Sequence, residues 1–242
     1  LEKKVLDLRI THRFGELATS QSYRSLFGLD NSTDIRIGFE YGISDKMMLG
    51  LGRSKGASPF SEFWDAFLKY NFINSKDNKL KATVITNLFF TSMPSSNDLS
   101  SITNFSKLAH RFSYHSEFIL AYLINSKLVL QLSPGLLYRN KTSMEDKNAI
   151  INICSVAKLH LFKKVSFIVE HFFTANSNEY RRRLYTNPFG LGIEINTFAH
   201  VFQLNFMNSR GLGAGQFIPY TSSSWMNGQF RFGFTISRKF NT

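Results

Sequence analysis

Charged side chains recur at alternate positions in several stretches of this sequence, with apolar side chains between them. In the first stretch, Asp7, Arg9 and Arg13 occupy one set of positions, and Leu8 and Ile10 occupy the other. A period of two places each set on its own face of a β-strand. The same pattern along the chain predicts a charged inward face made of Arg9, Arg13, Arg36, Glu40, Asp65, Lys69, Lys81, Arg111, Glu117, Lys158, Glu170, Glu194 and Arg231.

This inward face holds more cations than carboxylates, and two hypotheses account for its charges. Charges removed from bulk water must be paired or hydrated. The face is therefore either a lattice of ion pairs that braces a wall, or the lining of a water-filled passage in which excess Arg and Lys favour anions. Some of the cations, such as Arg9, Arg36 and Arg111, are predicted to project without a carboxylate close by, because their strands are not all neighbours.

A serine in a loop is the one candidate nucleophile of the sequence. The run Asn208-Ser209-Arg210-Gly211 resembles the active-site stretch of outer-membrane phospholipases, in which a histidine precedes the nucleophilic serine by two residues. Here Met207 occupies that position, so the base that would activate Ser209 is missing. No catalytic residue is predicted, and the protein is not expected to be an enzyme.

Metal ligands and cofactor motifs are not predicted either. The histidines have no partner at the spacing of a metal site, and Cys154 is the single cysteine. Isolated histidines of this kind are expected to be packed or interfacial. They are His12, His110, His115, His160, His171 and His200.

Two charged runs in loops are expected to be ordinary polar turns. Residues 145–148 (Glu-Asp-Lys-Asn) offer oxygen atoms that could hold a cation, but they lack the alternating ligands of a calcium loop. Residues 181–183 (Arg-Arg-Arg) are expected to form a solvated loop that faces anionic lipid headgroups. Although the formal net charge is +12, the basic residues are spread along the chain, and no nucleic-acid partner is predicted.

The elements that would position these charges are short strands rich in aromatic residues. Aromatic residues make up 15% of the 242 residues, with 25 Phe, and charged residues make up 19%. No segment reaches the roughly 18 to 20 apolar residues that a membrane helix needs. About ten residues of alternating character, repeated about twelve times, are typical of a transmembrane β-barrel. The predicted fold is all-β, a single domain over residues 1–242: a transmembrane antiparallel up-and-down barrel.

The connections between predicted strands alternate between long and short. Bacterial outer-membrane barrels have short periplasmic turns and longer external loops, and an even number of strands places both termini in the periplasm. One strand, predicted to begin at Leu108, carries Arg111, and another contains Pro134, which implies a bulge or a weakened ladder. The last strand resembles the carboxy-terminal signal read by the barrel-insertion machinery, through Phe230, Phe232, Phe234, Ile236 and Phe240.

Several segments together resemble a family of outer-membrane β-barrels from Bacteroidetes-type bacteria, a domain of unknown function. The resemblance implies a barrel in the outer membrane and supplies no activity. The segments that carry it are residues 10–15 (Ile-Thr-His-Arg-Phe-Gly), 26–30 (Leu-Phe-Gly-Leu-Asp), 36–42 (Arg-Ile-Gly-Phe-Glu-Tyr-Gly), 51–54 (Leu-Gly-Arg-Ser), 67–70 (Phe-Leu-Lys-Tyr), 145–148 (Glu-Asp-Lys-Asn), 200–204 (His-Val-Phe-Gln-Leu) and 236–238 (Ile-Ser-Arg).

Three functions of different classes remain open at this point. The first is a small passive channel that mildly favours anions. The second is a structural or accessory barrel in a larger envelope complex, and the third is a barrel that handles lipid or an apolar ligand. Apolar positions on the inward face would narrow a lumen or line a ligand site; they are Phe67, Ile85, Phe89, Ile119, Leu137 and Phe172. The expected partners are outer-membrane lipid, the insertion machinery and other envelope proteins.

Overall fold

The protein is a closed barrel of twelve antiparallel strands in which each strand pairs with its neighbours in sequence. The computed structural model describes residues 1–18, 22–31, 34–75, 77, 79–175 and 178–241. The strands are β1 (Val5–Glu16), β2 (Asp34–Ser44), β3 (Met47–Lys55), β4 (Glu62–Asn74), β5 (Leu80–Thr91), β6 (Phe112–Leu123), β7 (Leu128–Arg139), β8 (Ala149–Phe162), β9 (Val165–Thr174), β10 (Phe189–Asn196), β11 (His200–Met207) and β12 (Arg231–Asn241).

The first and last strands close the barrel. β1 pairs with β12 from Val5 opposite Asn241 to Arg13 opposite Gly233, and with β2 on its other edge. Closure leaves no strand edge unpaired, which is the condition for a sheet to cross lipid. The predicted all-β, antiparallel up-and-down barrel is confirmed. The predicted domain of residues 1–242 includes positions, such as the last residue, that lie outside the described ranges.

Side chains alternate between the lumen and the outer wall along every strand, as the period of two predicts. The strands contain 8 to 14 residues, enough to cross a hydrocarbon layer when tilted. The outer wall exposes a band of large apolar side chains, which suits contact with lipid acyl chains. The band includes Phe39, Leu51, Leu68, Leu88, Leu120, Leu132, Ile151, Phe173 and Leu204.

The connections alternate in length and so distinguish two ends of the barrel. Short turns, such as residues 45–46 and 163–164, lie at the end that also carries both termini, here called the lower end. The long connections lie at the opposite, upper end. Two of them contain short α-helices, α1 (Glu179–Leu184) and α2 (Ala214–Tyr220), and others contain short 3-10 helices. Among the described residues, no helix is long and apolar enough to span a bilayer.

Two local features differ from or refine the predicted strands. Leu108–Arg111 is a 3-10 helix, and β6 begins at Phe112, so the prediction that the strand begins at Leu108 was wrong. Pro134 has no N–H to donate to the ladder. Pairing between β6 and β7 stops after Glu117 opposite Gly135 and resumes at Leu120 without a change of register. The weakened ladder predicted at Pro134 is therefore present, without a bulge.

The hydrophobic core lies inside the upper part of the barrel, not between two layers. Residues 208–223, here called the inserted segment, leave β11, fold into the upper lumen and carry α2. Ile218 of α2 is 1% exposed and packs among side chains that project inward from the strands and upper connections. The cluster consists of Phe60, Phe63, Phe89, Phe105, Leu137, Ile150, Cys154, Phe172 and Ile218.

Candidate functional site

The lumen is the candidate site because the charged inward positions meet there. In its lower part, Arg9 Nη2 lies 3.0 Å from Asp7 Oδ2 and 3.3 Å from Glu40 Oε2. On the opposite wall, Lys158 Nζ lies 2.6 Å from Glu194 Oε1. These ion pairs join β1 to β2 and β8 to β10, so they brace the wall from inside.

The middle of the lumen contains a bidentate ion pair. Arg36 donates from Nε and Nη2 to the two carboxylate oxygens of Asp65, over 2.9 Å and 2.5 Å. Both side chains are largely buried, at 11% and 7% exposed. The prediction that Arg9 and Arg36 project without a carboxylate close by was therefore wrong. For Arg36 the pairing was not visible in the sequence, because Asp65 lies two strands away. For Arg9 it was partly visible, because Asp7 lies two residues away on the same face of the same strand.

Two arginines attach the inserted segment to the barrel wall. Arg13 of β1 donates from Nη1 to the backbone carbonyl of Gly211 and, over 3.2 Å and 2.9 Å, to the carbonyl and hydroxyl oxygens of Ser209. Arg231 of β12 donates to the carbonyl of Asn208 over 2.8 Å and pairs with Glu16. These bonds anchor the segment on both sides of the seam that closes the barrel.

Glutamine and aromatic contacts hold α2 against the opposite wall. Gln216 is 1% exposed; its amide nitrogen donates to the Phe60 carbonyl over 2.9 Å, and its side-chain oxygen accepts from the Leu212 N–H at 3.2 Å. Phe217 meets Phe172 of β9 edge to face, with ring centroids 5.0 Å apart. Since a buried amide without partners costs about 1 to 3 kcal/mol, these bonds favour the inserted position.

A network at the upper end ties three connections together. The Asp146 carboxylate lies 3.0 Å from Arg139 Nη2 and 2.9 Å from Arg181 Nη1, and all three side chains are 3% exposed. Arg181 also donates to the Pro219 carbonyl in α2 over 3.0 Å and lies over the Tyr185 ring. Burial raises the pKa of Tyr185 to about 12. The predicted solvated loop at residues 181–183 was wrong for Arg181, which is buried.

The remaining predicted lumen charges lie in different surroundings. Arg111 lies on the 3-10 helix before β6, not on a strand, and donates to the carbonyls of Thr91 and Met93, above the Phe105 ring. Lys81 is exposed near the lower end of β5.

Three further predicted charges face the middle of the lumen. Glu117 lies 3.5 Å from His115 Nε2. Within the described chain, neither Lys69 nor Glu170 has an ion pair within 4 Å. Lys69 and Glu170 can therefore interact with a solute in the middle of the lumen.

Ser209 and the histidines have surroundings that suit neither catalysis nor metal binding. The Ser209 hydroxyl accepts from Arg13 and lies 3.8 Å from the Met207 sulfur, and neither of these groups takes up a proton. In the part of the chain that the structure describes, no group of three His, Cys, Asp or Glu side chains could hold a metal ion. Asp146, in the run considered for cations, is instead occupied by two arginines.

The last strand presents its aromatic side chains outward, with one exception. Phe232, Phe234, Ile236 and Phe240 lie on the outer face of β12. Phe230 precedes the strand and stacks on Trp225, with ring centroids 4.6 Å apart. Phe230 is therefore not part of the strand, because the chain is still leaving the upper connection at that residue.

The inserted segment is the part of the site that the sequence did not predict. Residues 209–227 are rich in Gly and Ser, a composition that is typical of a long loop. A signal was present in Phe217, Ile218 and Tyr220, since consecutive apolar side chains within such a loop need a surface to pack on. The apolar inward positions Phe89 and Phe172 provide that surface.

Two polar cavities run from the lower mouth to the inserted segment. The lower cavity, of about 320 Å³, and the middle cavity, of about 280 Å³, are both lined by Arg9, Glu40, Met48 and Lys69. The middle cavity extends to residues 212–214 of the inserted segment. The two cavities share these walls, and together they are here called the polar passage.

Comparison with solved structures finds porins and channels of the same fold. KdgM porin aligns with a TM-score of 0.59 at 8% identity, and NanC porin with a TM-score of 0.58 at 9%; in both cases 98% of this chain and 99% of the other are covered. An outer-membrane channel from Pseudomonas putida F1 aligns with a TM-score of 0.56 at 10% identity, over 99% of this chain and 97% of that one. Such low identities show the fold alone.

Family comparison agrees with the barrel and its membrane setting. No curated protein matches the chain. The family model described as "Membrane bound beta barrel domain (DUF5777)" matches residues 1–240. The resemblance to a membrane β-barrel family of unknown function is thus confirmed, and the Bacteroidetes origin stays a prediction. The chain belongs to the family of membrane-bound β-barrel domains, DUF5777.

Proposed function

We propose that this protein is a small passive channel of the bacterial outer membrane. The observation that supports the proposal most is the polar passage from the lower mouth to the inserted segment, lined by Arg9, Glu40 and Lys69. Lys69 has no ion pair within 4 Å among the described residues and so does not brace the wall, whereas a water-filled passage would hydrate it, since charges away from water are costly. The proposal assigns no catalytic step to the barrel.

The orientation follows from the lengths of the connections. Short turns and both termini lie at the lower end, which corresponds to the periplasmic side of outer-membrane barrels. The inserted segment then narrows the external mouth. Solutes would cross when α2 moves within the upper lumen or through the space left beside it.

A mild preference for anions is part of this proposal. The carboxylates that line the passage are Asp7, Glu40, Asp65 and Glu194. Asp7 and Glu40 share Arg9, Asp65 pairs with Arg36, and Glu194 pairs with Lys158. With Lys69 and Lys239, which also line the passage, the cations exceed the carboxylates by one. Lys69 lines both cavities and has no such partner among the described residues. An uncompensated cation in a narrow lumen attracts anions, because solvent screens it poorly.

Two kinds of partner are proposed from the outer wall. The apolar band would contact outer-membrane lipid, and the outward side chains Phe232, Phe234, Ile236 and Phe240 of β12 would be read by the barrel-insertion machinery. Other envelope proteins belong to the second candidate function below.

The proposal is tested by swelling of liposomes that contain the purified protein. We expect swelling with the smallest polar solutes and a steep fall as solute size increases, because α2 occupies the upper lumen. Liposomes made with heat-unfolded protein serve as the control. No swelling with any solute would contradict the channel.

The packing of the inserted segment in the upper lumen favours one alternative, a structural or accessory barrel of a larger envelope complex. The aromatic cluster around Ile218 and the network at Asp146 hold the inserted segment in place, as a permanent seal would require. In this case a protein partner should co-purify in stoichiometric amount under mild detergent, and swelling should be absent.

A further inference from the structure

Glycines on the inward face of the barrel fall into two groups. On β2 and β3, a Cβ added at Gly38, Gly50 or Gly52 would collide with the side chain of Arg36 or Phe67. These glycines make room for a neighbouring side chain. On β10, the atoms nearest to a Cβ added at Gly190 are Cβ and Cε of Met207, 3.5 Å away. These are ordinary contact distances, so a Cβ at Gly190 would collide with no side chain of the described barrel.

A cavity of about 160 Å³ lies beside Gly190, directly below the inserted segment. Its walls are mostly apolar and include Ile168, Phe172, Met207 and Phe217 of α2. Gly190 and Gly192 contribute backbone to its floor. A cavity of about 150 Å³ takes up benzene, so this one has room for a compact apolar group.

Two opposite charges line the same cavity. Glu170 lies near the middle of β9, opposite Gly190, on the same face of the strand as Phe172, and it lines this cavity. In the described chain its carboxylate has no ion pair within 4 Å. Arg13, at 6% exposed, is held at the upper side by Ser209 and Gly211, and its Nε has no hydrogen-bond partner there.

We propose that this cavity binds a small zwitterion with an apolar body, such as an α-amino acid with an aliphatic side chain. The Glu170 carboxylate would attract the ammonium group, the Arg13 guanidinium would attract the carboxylate, and the apolar walls would take up the side chain. A solute with one charge would leave the other lumen charge without a partner. The proposal therefore concerns solutes that carry both charges.

Access to the cavity comes from below. Gln203 lines this cavity as well as the lower cavity, which opens at the lower mouth. The inference rests on the proposed channel, because the zwitterion would be one of the solutes that enter the lumen and would bind beneath the inserted segment. Binding itself requires only the cavity and does not depend on conduction.

The test is calorimetric titration of the detergent-purified protein with L-leucine, 3-methylbutylamine and 4-methylpentanoate. We expect heat from specific binding with leucine and binding at least about tenfold weaker with each singly charged analogue. Glu170→Gln should weaken leucine binding about tenfold or more by the same reasoning. Gly190→Leu should abolish it by filling the cavity.

Glu145→Gln is the matched control, because it makes the same change at an exposed carboxylate in the connection between β7 and β8, away from the passage and the cavity. It should bind leucine like the wild type, and all variants should keep the heat-dependent electrophoretic mobility of a folded barrel. Equal binding of the amine and leucine, no binding of leucine, or unchanged binding in folded Glu170→Gln would each overturn the proposal. Leucine binding without liposome swelling would uphold this site and contradict the channel.

Discussion

Arg36 reaches Asp65 across an intervening strand because a glycine separates them. Arg36 lies on β2 and Asp65 on β4, and Gly52 of β3 pairs with Asp65 in the register. A Cβ at Gly52 would collide with the Arg36 guanidinium. The alternation of Gly and apolar residues was visible in the sequence, but it could not show which carboxylate the arginine meets. That choice depends on the stagger of three strands.

Replacing Arg36 by glutamine should destabilise the barrel by roughly 3 to 5 kcal/mol, because it leaves the Asp65 carboxylate unpaired in a largely buried position. The measurement is the free energy of unfolding in urea, followed by electrophoretic mobility. The double variant Arg36→Gln with Asp65→Asn should recover most of the loss, since both charges are removed. An equal decrease in the free energy of unfolding in the single and double variants would show that the ion pair contributes little to stability.

The ionisation of the Tyr185 phenol reports on the folding of the upper end of the barrel. Burial raises its pKa from 10.0 to about 12, so folding favours the neutral phenol. Its contribution to stability is complete below about pH 10 and is lost as the pH rises towards 12. In a spectrophotometric titration, the wild type should show a tyrosine step near pH 12 that Tyr185→Phe lacks. Identical titration curves would contradict the burial of this phenol.

At the scale of elements, strands were more predictable than the segments between them. A strand such as β10 can be predicted from its own residues, since Leu191 and Ile193 alternate with Gly190 and Gly192 along it. The inserted segment depends on contacts with distant residues. Phe63 and Phe89, which form the surface beneath α2, precede it by more than a hundred positions in the sequence. Local pattern therefore could not show that this loop folds inward.

Gly215 is a position at which α2 approaches the wall closely. An added Cβ would lie 2.7 Å from Phe89 Cδ2 and 2.8 Å from Phe63 Cζ. Gly215→Leu should therefore displace α2 from the wall, at a cost of about 1 to 3 kcal/mol. With the protein in liposomes, external chymotrypsin should cleave the inserted segment at Phe217 or Tyr220 faster than in the wild type.

Gly213→Ala is the control for this displacement. A Cβ at Gly213 would lie 3.8 Å from the nearest atom, an ordinary contact distance. This variant should resist chymotrypsin like the wild type. Rapid cleavage of both variants, or of neither, would show that close packing of α2 does not protect the segment.

For the whole molecule, the balance of lumen charge should set ion selectivity. Most lumen arginines are paired with carboxylates, so the predicted anion preference depends on fewer cations than the sequence suggested. Lys69 is the main one of these cations. Lys69→Glu should reverse the preference, because it places an uncompensated carboxylate in both polar cavities. The measurement is the reversal potential under a salt gradient. Lys127→Glu, in an exposed lower turn, should leave it unchanged. A wild type that prefers cations would contradict the charge argument.

The architecture of the molecule followed from the sequence because every strand repeats one local rule. Alternating faces and alternating connection lengths together predict a barrel with an even number of strands. Whether the lumen is open is a property of the whole molecule, and it depends on the packing of Ile218 and Phe217 against the inner wall. No local sequence pattern predicts that packing.

The central claim is that the lumen is a solute path that the inserted segment constricts. Planar-bilayer conductance tests it most directly, with the wild type compared with a variant in which a Gly-Ser linker replaces residues 212–222. We predict a small conductance for the wild type and a several-fold larger one for the variant, with both proteins folded by heat-dependent mobility. No conductance in either folded protein, or equal conductance in both, would contradict the claim.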